Sequence, residues 1–560
     1  MHQAGDALPN LADGGAQPAD HGRATRDQAN PSAAASDTTP SSVTDQRPLV
    51  TAGGPRVEYW ELALLVGIVV LFVGLRLRML TVPLERDEGE YAYIAQQMLR
   101  GVPPYESGQI LKLPGVPAIY AAAMAVFGET TEAIRAALIL FNSAAIVLVF
   151  GLGRRLANRA VALVAAACYG LLSLDAVFSG VAAQSEQFVV PLVLAGLLLA
   201  SRGGSPFAIG LLFGLGVLCK QHAAAFAVIG FPLLVAPRGW GASVRFCVGL
   251  ALPWAGVAAW MAALGMFSSF WYWTVTRAAI YGATNDTTVS GALGELSRLG
   301  LTAPLVWAMS ALGLVRLLVG PQWRIIATML VGGALGGLPG LNLFGHYFIY
   351  LLPLASIGFG YGTYCLAEMV NVQPVPAIGA VLAGLLLVIT AVPKLPYLLR
   401  MTPIEISRQT YGNNPFPEAI ELADYIKAHG GGLVFVLGSE PELYFYLGQR
   451  SPSRCILAYL LVDGTAEASS LQREVATEVM AAAPEWLVYV GVPASWCANP
   501  RMDQWFFAWN KEYTEANYEL AGVVEIRSAD WTDWRWGIRS VDFSQLSDQY
   551  LLVYRRKPAA

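Results

Sequence analysis

Tyr59-Trp60-Glu61-Leu62-Ala63-Leu64-Leu65-Val66-Gly67-Ile68-Val69-Val70-Leu71-Phe72-Val73-Gly74-Leu75-Arg76-Leu77 decides what kind of molecule this is. Between Glu61 and Arg76 every residue is apolar or glycine. At about 1.5 Å of rise per residue, such a run approaches the roughly 30 Å of a bilayer's hydrocarbon core. It is longer than a signal-peptide core, and no small-residue cleavage pattern follows it, so it reads as an uncleaved first span.

Comparable runs recur downstream, at about 132–152, 159–178, 187–200, 205–219, 222–236, 244–263, 301–318, 324–341, 347–366 and 376–396. The sequence therefore predicts a multi-pass α-helical membrane protein with about eleven transmembrane helices. A shorter apolar stretch, 115–127, reads as re-entrant or interfacial. Composition agrees: 55% of residues are apolar and 14% charged, against about 25% charged in soluble domains. The charges thin out between 59 and 397 and return afterwards. A net charge of -4 with no Lys/Arg-rich run leaves no footprint for nucleic acid.

Upstream, residues 1–56 are rich in Ala, Asp, Gly, Pro, Ser and Thr, a composition too poor in large apolar groups to offset ordering entropy. They read as a disordered cytoplasmic tail. Residues 57–400 form the membrane domain, with 78–131 as its first outer loop. Residues 411–560 read as an α/β domain, with strands at 433–437, 486–490, 519–526 and 551–554 and helices at 416–429 and 467–482.

Loop charge sets the orientation. With the N-terminus inside, inner loops carry Arg154, Arg155, Arg159, Arg202, Arg238, Arg245, Arg316 and Arg324, with Glu368 as their one acid. Outer loops mix Glu85, Arg86, Asp87, Glu88, Glu186, Asp286 and Glu295. The pattern requires 205–236 to be two short helices, and an odd span count puts the C-terminal domain outside. Six cysteines form no CxxC pair. Cys455 and Cys497 could pair in an oxidising compartment.

The first outer loop holds most of the candidate chemistry. Tyr91, Ile94, Ala95, Met98 and Leu99 fall at helical spacing up to Gly101, predicting an amphipathic helix lying along the membrane surface. Asp87, three residues before Glu90, fits an N-cap. It also fits a base that takes the proton from an attacking hydroxyl. Lys112 suits a lipid phosphate or snorkelling to the interface. Glu186 opens a span, where it complements the helix dipole or meets a substrate. Lys220-Gln221-His222 interrupts an apolar stretch, and a charge there costs roughly 2.5–3.5 kcal/mol on insertion scales. It therefore needs a partner or a wet cavity. His346 and Tyr347 sit at an outer membrane edge. Phe270-Trp271-Tyr272-Trp273 reads as an interfacial belt or as a surface for stacking a sugar. Under the charge-derived topology four of these sites, from separate parts of the chain, reach the same face.

Arg86-Asp87-Glu88-Gly89-Glu90-Tyr91-Ala92-Tyr93-Ile94-Ala95, Gly101-Val102-Pro103-Pro104-Tyr105 and Lys112-Leu113-Pro114-Gly115 closely resemble the first loop of bacterial dolichyl-phosphate-mannose–protein mannosyltransferases. These form glycosyltransferase family 39, of the GT-C fold, and the lipid A aminoarabinose transferases are relatives. Ala133-Ile134-Arg135, Gly153-Arg154-Arg155-Leu156, Ser185-Glu186, Lys220-Gln221, His346-Tyr347-Phe348 and Gly438-Ser439-Glu440-Pro441-Glu442 are similar to later landmarks in the same order. The resemblance covers about 80–500.

It implies inverting transfer from a polyprenyl-phosphate sugar to an acceptor hydroxyl on protein, glycolipid or polysaccharide, outside a bacterial inner membrane. Asp87 would be the base and Glu88 its support or an acceptor contact. Lys112 would meet the donor phosphate, helped by Lys220. Glu186, Gln221, His346 and Tyr347 would line the substrate site, although His346 stands where many relatives carry Arg. No cofactor is required on this reading, and a divalent cation remains open. The alternatives are a lipid-linked-sugar transporter or flippase, and a polysaccharide polymerase or ligase.

Overall fold

In the computed structural model, residues 57–283, 289–338, 343–371 and 373–558 are described. The expected tail, 1–56, and Asp286 lie outside them. Among the described residues, each apolar run read from the sequence contains helix. The bundle comprises α1 (Tyr59–Leu77), α2 (Arg86–Leu99), α3 (Gly115–Phe127), α4 (Thr131–Leu156), α5 (Arg159–Leu172), α6 (Ser185–Ser201), α7 (Pro206–Cys219), α8 (Ala224–Gly230) and α9 (Trp240–Ala263). It continues through α10 (Phe267–Trp271), α11 (Ala278–Ala283), α12 (Val289–Thr302), α13 (Pro304–Leu318), α14 (Trp323–Gly337), α15 (Leu352–Met369), α16 (Val375–Ala391) and α17 (Leu395–Leu399).

Among the described residues, five helical segments are long and apolar enough to cross a membrane: 59–77, 131–156, 240–263, 345–369 and 375–399. Others, α3, α5, α6, α7 and α14, are apolar but shorter, and the 293–302 and 304–318 helices meet at a 93° bend. The exposed flanks of α1 and α16 (Leu62, Val66, Val70, Val381, Leu385, Val388) are what lipid would cover.

Burial sorts the spans. Only 22% of an apolar 18-residue stretch of 59–77 is buried, against 78% of the corresponding stretch of 345–369, so 345–369 runs through the middle of the bundle. Small residues permit that packing. A Cβ on Gly313 of α13 would lie 2.0 Å from the carbonyl oxygen of Gly358 on α15. The stretch 205–236 is broken. The chain is extended at Lys220 (φ -154°, ψ 127°), then passes through one 3-10 turn into α8. Two short helices meet there, as the charge pattern required.

The C-terminal region carries α18 (Pro403–Tyr411), α19 (Phe416–Ala428), β1 (Val434–Leu437), α20 (Pro441–Leu447), α21 (Ala466–Ala482), β2 (Trp486–Gly491), α22 (Pro493–Trp496), α23 (Trp505–Asn517), β3 (Tyr518–Ile526), β4 (Thr532–Trp536) and β5 (Tyr550–Arg556). The sheet order is β1-β2-β5-β3-β4, with β1 and β2 parallel and the remaining pairs antiparallel. Strand β4 was not expected. Its Thr-Asp-Trp-Arg-Trp sequence lacks a buried apolar face, and it pairs only as the sheet's edge. Cys455 and Cys497 are both free, Cys455 buried and Cys497 exposed.

The first-loop helix departs furthest from expectation. Residues 88–97 of α2 are all buried, so it does not lie along a membrane surface. It is held between α3 and α20. Gly89 permits the contact with α20, since a Cβ there would come within 2.5 Å of the Glu442 backbone nitrogen. Arg86 seals the same seam, its Nε donating to the Ser439 carbonyl at 2.7 Å and its Nη2 pairing with Glu440 at 3.1 Å.

Candidate functional site

The cap of α2 is Glu85, not Asp87. The Glu85 carboxylate accepts from the Glu88 backbone N–H at 2.9 Å, and the Glu88 carboxylate accepts from the Glu85 N–H at 3.3 Å. This reciprocal pair completes a capping box two residues earlier than the sequence suggested. Asp87 is thereby released from capping. Its carboxylate accepts instead from Lys112 Nζ at 2.7 Å.

The three acids of this helix start have different fates. Glu88 is fully buried and held by Arg135 from α4, with its Oε2 2.9 Å from Arg135 Nη2. It also accepts from the Ala183 N–H at 2.6 Å. Glu90, one turn beyond Asp87, is 1% exposed and pairs with Lys112 at 2.6 Å. Asp87 alone reaches solvent, at 30% exposure. Lys112 therefore bridges two carboxylates while resting over the Tyr91 ring at 4.6 Å.

Burial alone would raise the Asp87 carboxyl, but Lys112, His346 and Lys220 outweigh it and hold it well below the usual range. Glu90 moves the other way, since burial and the Asp87 charge raise it despite Lys112. Burial would lower the Lys112 ammonium, yet Asp87 and Glu90 push it well above the lysine range.

A second set of residues faces Asp87 from the bundle. Lys220, at the break after α7, pairs with the fully buried Glu186 at the start of α6 and lies over the Tyr347 ring at 4.6 Å. Tyr347 packs edge-on against His346, with centroids 4.6 Å apart. Gln221 donates to the Leu111 carbonyl at 2.8 Å, fixing the break beside the residue that precedes Lys112. Below, Arg76 donates to the Gly180 carbonyl at 2.8 Å and to Asn142 at 3.0 Å, and Asn142 donates to Gln187 at 3.1 Å. These bonds brace the α5–α6 connection that presents Glu186.

The structure thus brings Asp87, Lys112, Glu186, Lys220, Gln221, His346 and Tyr347 into one neighbourhood, and turns the Glu88 carboxylate inward onto Arg135. Sequence reasoning missed Glu90 as the second acid on Lys112. The available signal was its three-residue spacing from Asp87, which puts both on one helix face. No group of three or more His, Cys, Asp or Glu side chains that could hold a metal ion occurs among the described residues.

Residues 112–273 match the family model described as dolichyl-phosphate-mannose-protein mannosyltransferase, which bears out the resemblance read from the sequence. ArnT from Cupriavidus metallidurans, in a crystal structure bound to undecaprenyl phosphate, is similar at 14% identity and a TM-score of 0.50. The match covers 89% of this chain and 98% of ArnT. It shows that the chain has a GT-C-type fold with a C-terminal sheet domain. The Archaeoglobus fulgidus oligosaccharyltransferase, tethered to an acceptor peptide, matches at 12% identity and a TM-score of 0.48, covering 87% of this chain and 75% of that one. No curated protein matches in sequence.

Proposed function

We propose that this chain transfers a sugar from a polyprenyl-phosphate donor to an acceptor hydroxyl, with inversion, on the side of the membrane that carries the C-terminal domain. Loop charge makes that side the outer face, and the family resemblance makes the membrane a bacterial inner membrane on this reading. One observation carries the reading: Asp87 is a solvent-reaching carboxylate in contact with Lys112, with Lys220 facing it. Inverting transfer needs a base for the acceptor hydroxyl and cations for the leaving phosphate, and this neighbourhood supplies both.

The pairing also suggests an order of events. While Lys112 holds Asp87, the carboxylate is ionised but weakly basic. A donor phosphate competes for the same ammonium. As Lys112 turns toward the phosphate, Asp87 loses its strongest positive neighbour and its proton affinity rises. The acceptor hydroxyl then attacks the anomeric carbon and gives its proton to Asp87, and the C–O bond to phosphate breaks on the opposite face. Lys112 and Lys220 stabilise the charge that develops on the phosphate. Glu186 holds Lys220 in position, and Tyr347 limits its approach. Two cations at the phosphate make a metal dispensable on this reading, so chelation leaves the activity intact.

ArnT, whose crystal structure contains undecaprenyl phosphate, supports a lipid phosphate as the leaving group. A protein hydroxyl is one candidate acceptor. Glycolipid and polysaccharide acceptors are the other candidates for the hydroxyl.

The test uses purified protein, native membranes and a panel of radiolabelled polyprenyl-phosphate sugars, with and without a chelator. The expected result is that one donor is consumed, polyprenyl phosphate is released, and label appears on an acceptor. Asp87→Asn should bind that donor and turn it over far more slowly than the wild type. Movement of intact lipid-linked sugar across the bilayer would instead establish a transporter.

A further inference from the structure

A cavity of about 310 Å³ lies between the aromatic segment after α9 and the first turns of α21. Tyr272, Trp273 and Arg277 line it from one side, and Glu467, Ser470 and Glu474 from the other. Its size falls at the lower end of small-molecule sites, which run from about 300 to 1,000 Å³.

The floor of this cavity contains an unfinished polar group. Arg277 is 1% exposed and paired with Asp463. Its Nη2 also approaches the Leu460 carbonyl at 3.4 Å, but its Nη1 is buried without a hydrogen-bond partner. A buried guanidinium nitrogen left open calls for an acceptor that the protein itself does not supply. The walls are equally specific. Tyr272 is 37% exposed and stands at 84° to the buried Trp273, with centroids 5.3 Å apart, so Trp273 backs the Tyr272 ring that faces the groove. Glu474 accepts from Gln109 at 3.1 Å and is paired with Arg454, which fixes its position. Glu467, in the first turn of α21, is half-exposed at the rim.

We propose that this groove is a carbohydrate-binding subsite, which on the transferase reading above would seat a sugar ring of the acceptor. A pyranose presents C–H faces that pack on aromatic rings. Its hydroxyls donate to carboxylates and accept from a guanidinium at once, which is the combination Glu467, Glu474 and Arg277 offer. Two acids disfavour a second phosphate. A chain of contacts runs from the groove's aromatic segment to the reaction centre. Phe270, on the same segment, meets Tyr105 edge-on at 5.5 Å, and the Tyr105 hydroxyl donates to the Lys112 carbonyl at 3.0 Å.

Saturation-transfer NMR on the full-length protein in phosphatidylcholine nanodiscs, free of sugar-based detergent, tests this. The probes are α-1,2-mannobiose, maltose, lactose and a Ser/Thr-rich peptide. At least one disaccharide should receive saturation. Tyr272→Ala and Glu467→Gln, both at exposed or rim positions, should each weaken it about 5- to 10-fold, the scale of one lost stacking contact or charged hydrogen bond. Asp87→Asn should bind as the wild type does. Saturation of no disaccharide, or binding indifferent to both groove variants, overturns the proposal. Binding of the peptide alone, lost in Tyr272→Ala, overturns it in favour of a peptide groove. If disaccharide binding behaves as expected while no lipid-linked donor is consumed, the subsite stands and the transferase reading falls.

Discussion

Lys112 and Lys220 occupy matching settings. Each pairs with a carboxylate, and each lies 4.6 Å from the centre of a tyrosine ring, Tyr91 for one and Tyr347 for the other. The carboxylates differ. Asp87 is 30% exposed, and Lys112 is shared with Glu90. Glu186 is fully buried and is the carboxylate paired with Lys220. One motif built twice therefore gives a pair that a substrate can open and a pair that holds a backbone break in place. Exposure of the acid, rather than the chemistry of the pair, sets that division.

The comparison breaks most readily at its acids. Asp87→Asn should lower turnover by about 10²- to 10⁴-fold, the usual contribution of a positioned base, with thermal stability near that of the wild type. Glu186→Gln leaves Lys220 without its counter-ion, and breaking a buried pair costs about 3–5 kcal/mol. Its main signature should be a lower melting temperature. An inactive but stable Glu186→Gln beside an unstable Asp87→Asn would reverse the assignment.

The lysines sharpen it further. Lys112→Met should raise the KM for donor by roughly 10- to 100-fold, the loss of a hydrogen bond to a charged group being worth about 1.5–3 kcal/mol. Lys220→Met should affect stability more than KM. Steady-state kinetics over a donor series, with melting curves for both variants, separates these outcomes.

Smaller effects are expected where α2 meets α20. Gly89→Ala forces a Cβ to within 2.5 Å of the Glu442 nitrogen, and overpacking of that kind costs about 1–3 kcal/mol. Activity should fall with stability, because this seam sets the position of Asp87. The seam should also respond to pH. Burial, with the charges of Asp87 and Glu88, pushes the Glu85 carboxyl up to about 8, and burial with Glu440 raises Glu442 well above its ordinary value. The folded state thus keeps protons that the unfolded chain has already lost. That contribution is fully present below the ordinary carboxyl range near 4.5 and is lost as pH rises through about 8. Hydrogen exchange in 86–99 and 441–447, corrected for intrinsic rates, should therefore quicken between pH 6 and pH 9. Unchanged protection would mean that the seam does not depend on these protons.

What the sequence made legible follows from where the constraint lies. Apolar runs are readable because a bilayer forces every backbone polar group to be satisfied within its own helix. The Lys220 break is readable because a charge inside such a run demands a reason. The seam was not readable. Arg86 meets Ser439 and Glu440 across more than three hundred residues of chain, and no local pattern announces such a contact. The helix cap was misread because Glu85 and Asp87 both precede an acid at the capping-box spacing, and Asp is the commoner cap. The buried face of Glu88 depends on Arg135 from another helix. It could not be told from Asp87 by residue type alone.

The short helices around the Lys220 break have a mechanical consequence. At about 1.5 Å per residue, a helix the length of α7 reaches only about 21 Å, well under the roughly 30 Å of a typical hydrocarbon core. Hydrophobic mismatch of that size is relieved by drawing the bilayer thinner around the protein. A dimple of this kind would bring the phosphate of a membrane-anchored donor down to the level of Lys220 and Lys112 without pulling its polyprenyl chain out of the leaflet. Lipid tail length would then become a control on substrate access, set by the reach of two helices that touch no substrate.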